Sequence, residues 1–225
     1  MNFNPKCHWE KIYQEKGPAQ VSWYQTKPSV SLDTILSTKI GLDEGIIDVG
    51  GGTSSLVNNL LKEGFKDITV LDISAKALQY AKERLGDKVQ SVNWIESDVI
   101  KFQPSRQYTL WHDRAVFHFF TDPSHRKQYI EIMKKAIKSD GHVIIATFAS
   151  DGPLKCSGLN VERYDPKKLS REIGKSFRFI KSIEEIHITP WHSEQKFIYS
   201  VFRKCSLEVN GKEYRQSQQQ TREES

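Results

Sequence analysis

Three aspartates follow or end apolar runs of the sequence at regular intervals. Asp48 lies in "GIIDV" (45–49), Asp72 in "DITVLDI" (67–73), and Asp98 at the end of "VNWIESD" (92–98). If these runs are parallel strands, their carboxyl ends meet at one edge of the sheet, where ligands of α/β proteins bind. The three carboxylates would then lie at this edge.

A run of three glycines, Gly50, Gly51 and Gly52, directly follows the first strand. Glycines let a backbone approach a ligand closely, and a helix starting near Thr53 would offer free N–H groups. A dinucleotide fingerprint requires a glycine where Ser55 stands, and a Walker loop requires a lysine that is absent. Asp48 would repel a pyrophosphate but attract an ammonium group, so the loop fits an amino acid better than a dinucleotide.

Short β-like runs alternate with helical ones from residue 45 onward. Runs at 45–49, 67–73, 92–98, 107–113 and 142–148 predict five strands. Helices are expected from about residue 53 to 64, over 74–86, and over 122–141. This alternation predicts a parallel sheet with helices on both faces. The last two runs, 177–190 and 195–204, leave no room for a helix between them, so an antiparallel pair at the sheet edge is expected.

These motifs together resemble the class I methyltransferases that use S-adenosylmethionine, in a small single-domain form typical of prokaryotes. The resemblance covers about residues 40–204 and rests on D-x-G-x-G, the acids Asp72 and Asp98, and the terminal hairpin. It implies a Rossmann-like sheet of seven strands in the order 3-2-1-4-5-7-6, with strand seven antiparallel. A third glycine that is frequent in the family is replaced here by Ser54.

The resemblance also implies the cofactor, S-adenosyl-L-methionine, and the residues that bind it. Asp72 would accept from the ribose hydroxyls, and Asp98 would face the adenine amino group. The cofactor-binding set implied in this way is Asp48, Gly50, Gly51, Gly52, Asp72, Ile73, Asp98, Val99 and Tyr24.

The acceptor side is expected after strand four and in the flanking segments. His112 and His118 are candidate bases because histidine titrates near neutrality, and Asp113 stands beside them. Packing or a turn contact is the simpler explanation for each histidine. The motif [ND]-P-P-[YF] is absent, which disfavours a nucleobase or amide nitrogen as acceptor. Candidates on the substrate side are Tyr13, Trp23, Arg114 and Cys156, although a free surface cysteine is the simpler interpretation of Cys156.

Composition and charge indicate how the chain is divided, where the protein is located and which partners it could bind. We expect a helical, aromatic lid at 1–40, a methyltransferase domain at 41–204, and a polar, disordered tail at 205–225. Three distant cysteines fit neither a disulfide framework nor a metal site, and no apolar run spans a membrane, so a cytoplasmic protein is expected. The net charge of +5 includes a basic stretch at 151–181, which is either a solvated surface or a patch for an anionic partner.

The expected function is methyl transfer to a small molecule or a protein side chain. The alternatives are an NAD(P)-dependent oxidoreductase, disfavoured by Ser55, Asp48 and the antiparallel ending, and a non-catalytic binding module. Nucleic acid is an unfavoured partner, because the sequence has no basic strand interleaved with aromatic residues.

Overall fold

Seven strands of one sheet organise the chain. The computed structural model describes residues 3–206. The strands are β1 (Ile46–Val49), β2 (Ile68–Asp72), β3 (Val92–Glu96), β4 (Tyr108–Arg114), β5 (Ile137–Phe148), β8 (Phe177–Ile188) and β9 (Glu194–Lys204). A short hairpin of β6 (Lys155–Cys156) and β7 (Leu159–Asn160) lies outside this sheet.

The order of the strands is β3-β2-β1-β4-β5-β9-β8. The first five strands are mutually parallel, and β9 is antiparallel to both of its neighbours. Without the β6–β7 hairpin, β8 and β9 become strands six and seven of the expected order. The predicted topology, 3-2-1-4-5-7-6, is therefore confirmed.

Within residues 3–206, six α-helices flank the sheet, and their apolar sides explain where they pack. They are α1 (Pro5–Glu15), α2 (Ser29–Ser37), α3 (Leu56–Lys62), α4 (Ala75–Leu85), α5 (Pro123–Ala136) and α6 (Pro166–Ile173). Buried residues of α2, α3 and α4 share one core with alternate residues of the central strands. Buried residues of α5 and α6 share a second core with the intervening strand residues. Helices therefore cover both faces of the sheet.

Two predicted helix boundaries are wrong. The helix behind the glycines begins at Leu56 rather than near Thr53, because Ser54 closes a turn onto the carbonyl of Gly51. The helix α5 ends at Ala136 rather than near residue 141. Ile137 is fully buried and already pairs with Tyr108 of β4, so β5 starts five residues earlier than expected.

The N-terminal segment is anchored to α4. The carboxylate of Glu10 on α1 accepts hydrogen bonds from the backbone N–H of Ala75 (2.6 Å) and of Lys76 (3.3 Å). These are N–H groups of the first helical turn, which have no partner within the helix. The side chain of Glu10 thus caps α4 from a distant part of the chain.

Within residues 3–206, no helix is long and apolar enough to cross a membrane. The predicted tail falls almost wholly outside the described residues, and the proposed segment boundaries stay predictions.

Candidate active site

The glycine run follows β1, and each position in it accepts only glycine. Gly50 has φ +68°, a conformation that other residues rarely adopt. A Cβ on Gly51 would collide with the carboxylate of Asp48. A Cβ on Gly52 would lie 2.6 Å from Asp72 Oδ2 and 2.5 Å from the Cβ of Ala77. The loop therefore passes close to two carboxylates at once.

Asp72 ends β2 beside this loop. Its Oδ2 accepts from Gly52 N at 2.9 Å, and its Oδ1 accepts from Ser74 N at 2.8 Å. Burial raises the pKa of this carboxyl to about 6, against the lowering effect of the two N–H donors. Each oxygen has one protein donor, which leaves capacity for a further donor on each.

A cavity of about 710 Å³ opens next to Asp72. Its wall includes most of the residues that were expected to contact the cofactor or the acceptor. They are Gly50, Asp72, Ile73, Asp98, Val99, Tyr13, Trp23, Arg114 and Cys156. The same wall contains Trp9 and Phe119, which the sequence did not single out.

Aromatic rings meet where the N-terminal segment covers this cavity. The ring centroid of Trp9 lies 5.8 Å from that of Trp23 and 5.1 Å from that of Phe119, both in edge-on contact. Tyr13 is buried, and desolvation together with the nearby Asp72 raises the pKa of its hydroxyl. The aromatic residues of the segment thus close one side of the cavity.

A second, smaller cavity of about 40 Å³ also borders the glycine loop and shares Gly50 and Arg114 with the large one. Asp48, Gly50, Gly51, Tyr24, His112 and Arg114 are among the residues that line it. His112 Nδ1 is 2.7 Å from Asp48 Oδ1, and each of the two residues is 2% exposed. His112 Nε2 and Asp48 Oδ2 have no hydrogen-bond partner among the described residues.

Arg114 borders both cavities and ties three parts of the chain together. Its Nε donates to Tyr199 Oη at 3.0 Å, and one terminal nitrogen donates to the carbonyl of Trp23 at 3.2 Å. Glu185 accepts from Tyr199 Oη at 3.0 Å and from Gln25 Nε2 at 2.7 Å. The terminal hairpin thereby holds the segment around residue 24 over the site. No local sequence signal identifies this network, because its members are far apart in the chain.

Asp113 and His118, two of the candidate catalytic residues, line neither cavity. Both are fully buried. Asp113 accepts from Tyr129 Oη and from two backbone N–H groups. His118 accepts from Phe148 N at 3.4 Å, and burial lowers the pKa of its imidazole to about 3. Neither side chain is available to a ligand in these cavities.

Cys156 is not a surface cysteine, which corrects the simpler interpretation of its sequence context. Its side chain lies on β6 with only 5% of its area exposed, and burial raises the pKa of the thiol to about 11. The hairpin of β6 and β7 forms this corner of the large cavity through Cys156, Leu159 and Asn160. The thiol is therefore protonated at neutral pH.

The model of a family described as "Methyltransferase domain" matches residues 42–217, well over half of the chain. The chain belongs to the class I S-adenosylmethionine-dependent methyltransferases. Its cofactor is accordingly S-adenosyl-L-methionine. The cavity fits that molecule: glycines leave the loop open, Asp72 has spare acceptor capacity, and Asp48 has an unpartnered oxygen.

Curated relatives of this methyltransferase differ in the acceptor that their names give. The eEF1A lysine and N-terminal methyltransferase of Mus musculus is 29% identical over 101 residues, which are 45% of this chain and 14% of that protein. Malonyl-[acyl-carrier protein] O-methyltransferase 1 of Ilyobacter polytropus is 25% identical over 167 residues, 69% of this chain and 61% of that protein. This chain thus spans less than two thirds of either relative's length.

Solved structures have the same fold. The N-methyltransferase NodS of Bradyrhizobium japonicum, solved with S-adenosyl-L-homocysteine, superposes with a TM-score of 0.66 at 14% identity. The match covers 88% of this chain and 98% of NodS. At this identity, the similarity concerns the fold alone.

Proposed function

We propose that this chain transfers a methyl group from S-adenosylmethionine to a small-molecule or protein side-chain acceptor by in-line displacement. The observation that carries the proposal is the continuity of the large cavity. Asp72 and Asp98 line the same cavity as Trp9, Trp23 and Cys156. A single chamber therefore has room for both a nucleoside and a second reactant.

The cofactor roles follow from the available acceptors. Asp72 would receive the ribose hydroxyls on the lone pairs that its two N–H donors leave free. Asp98 already accepts from Ile100 N at 3.2 Å and would receive the adenine amino group. Ile73 and Val99 supply apolar contact with the ring. Tyr24, Asp48, Gly50 and Gly51 would surround the methionine part.

The bound cofactor supplies a methyl group on a sulfonium, so an acceptor lone pair forms the new bond while the carbon–sulfur bond breaks and S-adenosylhomocysteine remains. The chain's own contribution is to position both partners and to keep water out. The aromatic residues Trp9, Tyr13, Trp23 and Phe119 form the wall that excludes water. Aromatic faces also attract a positive charge.

The titratable residues of the cavity favour an acceptor that needs no buried base. Cys156 is protonated, and His112 donates to Asp48 rather than facing the large cavity. Among the described residues that line this cavity, the only histidine is His125, exposed in the first turn of α5. A carboxylate, a thiolate or an amine that arrives deprotonated is therefore favoured.

The acceptor classes named for the relatives support both branches of the proposal. One relative is named for protein lysine and N-terminal amines, and the other for a malonyl carboxylate. A carboxylate is ionised at neutral pH and reacts without a base, whereas a lysine must first lose its proton. No buried histidine lies among the described residues of the cavity wall, and the buried Asp72 is assigned to the ribose, which gives a modest preference to the first.

Calorimetric titration tests the cofactor part of the proposal. S-adenosylmethionine and S-adenosylhomocysteine should bind at micromolar concentrations, and NADH should not bind. Asp72→Ala should weaken S-adenosylhomocysteine by about 100-fold, because two charge-assisted hydrogen bonds are lost. The control Asp87→Ala changes an exposed carboxylate that lines neither cavity and should bind as wild type does. Equal binding by Asp72→Ala and wild type would contradict the proposal.

A labelled-methyl screen tests the acceptor. Lysate fractions are incubated with the enzyme and methyl-labelled cofactor, with and without prior protease treatment. Label that appears in a small-molecule fraction whether or not the lysate was treated with protease supports a small-molecule acceptor. Label that disappears when the lysate proteins are digested supports a protein side-chain acceptor. Cofactor binding with no transfer to any fraction would indicate a binding module instead.

A further inference from the structure

Asp48 is a buried carboxylate with only one oxygen paired among the described residues, and this residue contributes to the lining of the small cavity. Its Oδ1 is held by His112, whereas Oδ2 has no partner among the described residues. A buried carboxylate oxygen without a donor is costly, so such atoms are usually paired with a ligand or with water. Asp48 lines the small cavity beside Gly50 and Gly51.

The bond between the two side chains fixes which atoms donate. A carboxylate only accepts, so the proton of the shared bond is on Nδ1 of His112. The ring is thereby oriented, and its remaining nitrogen, Nε2, has no partner within residues 3–206. A carboxylate oriented in this way is a suitable acceptor for an ammonium group.

The register of the sheet explains why the two residues meet. Asp48 on β1 pairs directly with His112 on β4, and side chains at paired positions point to the same face. Arg114, two residues further along β4, reaches the small cavity from that face as well. His112 is thus a neighbour of the carboxylate, and it does not line the large cavity.

We propose that His112 is a positioning residue for the amino-acid end of the cofactor: it holds Asp48 through Oδ1 so that Oδ2 accepts from the α-ammonium group. His112 then acts through Asp48 and takes no proton from the acceptor. The proposal rests on the cofactor of the proposed function, and it goes further in assigning a role to this histidine.

Two ligands that differ only in the amino-acid end separate this role from a structural one. S-adenosylhomocysteine has the ammonium group, and 5′-methylthioadenosine lacks the whole amino-acid portion. His112→Leu removes the donor at nearly constant shape, whereas His112→Asn retains an N–H close to the position of Nδ1. All three proteins are titrated with both ligands, and their folding is checked by thermal melting.

We expect His112→Leu to weaken S-adenosylhomocysteine by about 10- to 100-fold, as for loss of an oriented charge-assisted contact. The affinity for 5′-methylthioadenosine should stay within about twofold, and His112→Asn should retain most of the affinity for S-adenosylhomocysteine. The proposal is overturned if His112→Leu binds S-adenosylhomocysteine as wild type does, or if both ligands weaken equally.

A second comparison covers the case in which His112→Leu does not fold. In the Asp48→Asn variant, replacing His112 leaves no buried carboxylate without a donor. If His112 acts only through the carboxylate of Asp48, adding His112→Leu to this variant should not change its affinity for the ligand further. Asp48→Asn and the double variant with His112→Leu should therefore bind S-adenosylhomocysteine with equal affinity. A further loss of affinity in the double variant contradicts the proposal. Failure of wild type to bind S-adenosylhomocysteine removes the cofactor itself, and this result is distinct from all the others.

Discussion

Two buried aspartates on neighbouring strands of the sheet differ in how their oxygens are satisfied. Asp113 accepts from Val116 N at 2.9 Å, from Phe117 N at 3.0 Å, and from Tyr129 Oη at 2.5 Å. Within the part of the chain that the structure describes, Asp48 has one partner, His112, and one oxygen without a donor. Both carboxylates are at most 2% exposed, so burial alone does not separate them. The two differ in the number of hydrogen-bond donors. An acid whose oxygens are both paired within the protein stabilises the fold, whereas an acid with one unpaired oxygen can accept a hydrogen bond from a ligand.

The largest expected effect is on the satisfied acid. Asp113→Ala leaves the hydroxyl of Tyr129 and two backbone N–H groups without an acceptor, and should lower the free energy of unfolding by about 3 kcal/mol. Urea denaturation measures this loss, with the exposed Asp33→Ala on α2 as control. The folded variant should bind S-adenosylhomocysteine within about twofold of wild type, because Asp113 lines neither cavity. If Asp113→Ala kept its stability but lost its affinity for S-adenosylhomocysteine, Asp113 would be a ligand-binding residue and the comparison would be wrong.

Asp48→Asn should give the opposite pattern. Loss of the charge should weaken S-adenosylhomocysteine by about 10- to 30-fold, while the free energy of unfolding changes by less than about 1 kcal/mol. Titration calorimetry and denaturation of the same preparation supply both numbers. A large loss of stability without loss of binding would place Asp48 with Asp113 as a structural residue.

A third buried acid, Asp72, sharpens the comparison through pH. Burial raises the pKa of its carboxyl to about 6, and the charges of Asp48 and Glu10 contribute in the same direction. Below that pKa the group is protonated in the free protein and has lost an acceptor. Affinity for S-adenosylhomocysteine should therefore fall about tenfold between pH 7 and pH 5. Asp72→Asn should bind weakly and with a flat profile over this range, and an equally steep profile in this variant would assign the titration to another group.

The raised pKa also has a consequence for stability, and its sign is opposite to that of a salt-bridged acid. In the unfolded chain the carboxyl of Asp72 loses its proton near pH 4, whereas in the folded chain it retains the proton up to about pH 6. The contribution of this group to stability is therefore largest at low pH and declines as the pH rises from 4 to 6.

The smallest expected effect concerns one donor of Asp113. Tyr129→Phe removes a hydroxyl that donates to Asp113 and accepts from Trp111 Nε1 at 2.8 Å. Asp113 retains its backbone donors, so the loss should be about 1 kcal/mol. Denaturation of the single variants and of the double variant with Asp113→Ala measures the coupling between them. Strict additivity would contradict a shared network.

The architecture was predictable because its signals are local. Strand and helix periods and the absence of a helix between 190 and 195 predicted a parallel sheet with an antiparallel pair at its edge, and the acids at strand ends indicated the edge where a ligand binds. The order of the strands came from the resemblance of these motifs to class I methyltransferases. The directions of the side chains along β4 could also be predicted from the sequence. His112 and Asp113 are consecutive, so their side chains must point to opposite faces, and only one of them can join Asp48.

The errors concern features that depend on distant contacts. Cys156 is buried because a two-residue hairpin folds onto the cavity, which its polar, glycine-containing surroundings do not indicate. The helix α5 stops early because Ile137 pairs with β4. The contacts of Arg114 with Tyr199 and Glu185 join positions 71 to 85 residues apart, and no pattern within a single sequence reports such a separation.

The cap that Glu10 places on α4 links the exchange of backbone hydrogens at two distant sites. Ala75 N and Glu10 are 65 residues apart in the chain, yet the amide of Ala75 has its acceptor only while α1 is docked. Each opening of α1 exposes that amide, and that of Lys76, to solvent deuterium. Their exchange rates therefore measure how often the N-terminal helix leaves the site. A ligand that rests against α1 should slow the exchange of both amides together.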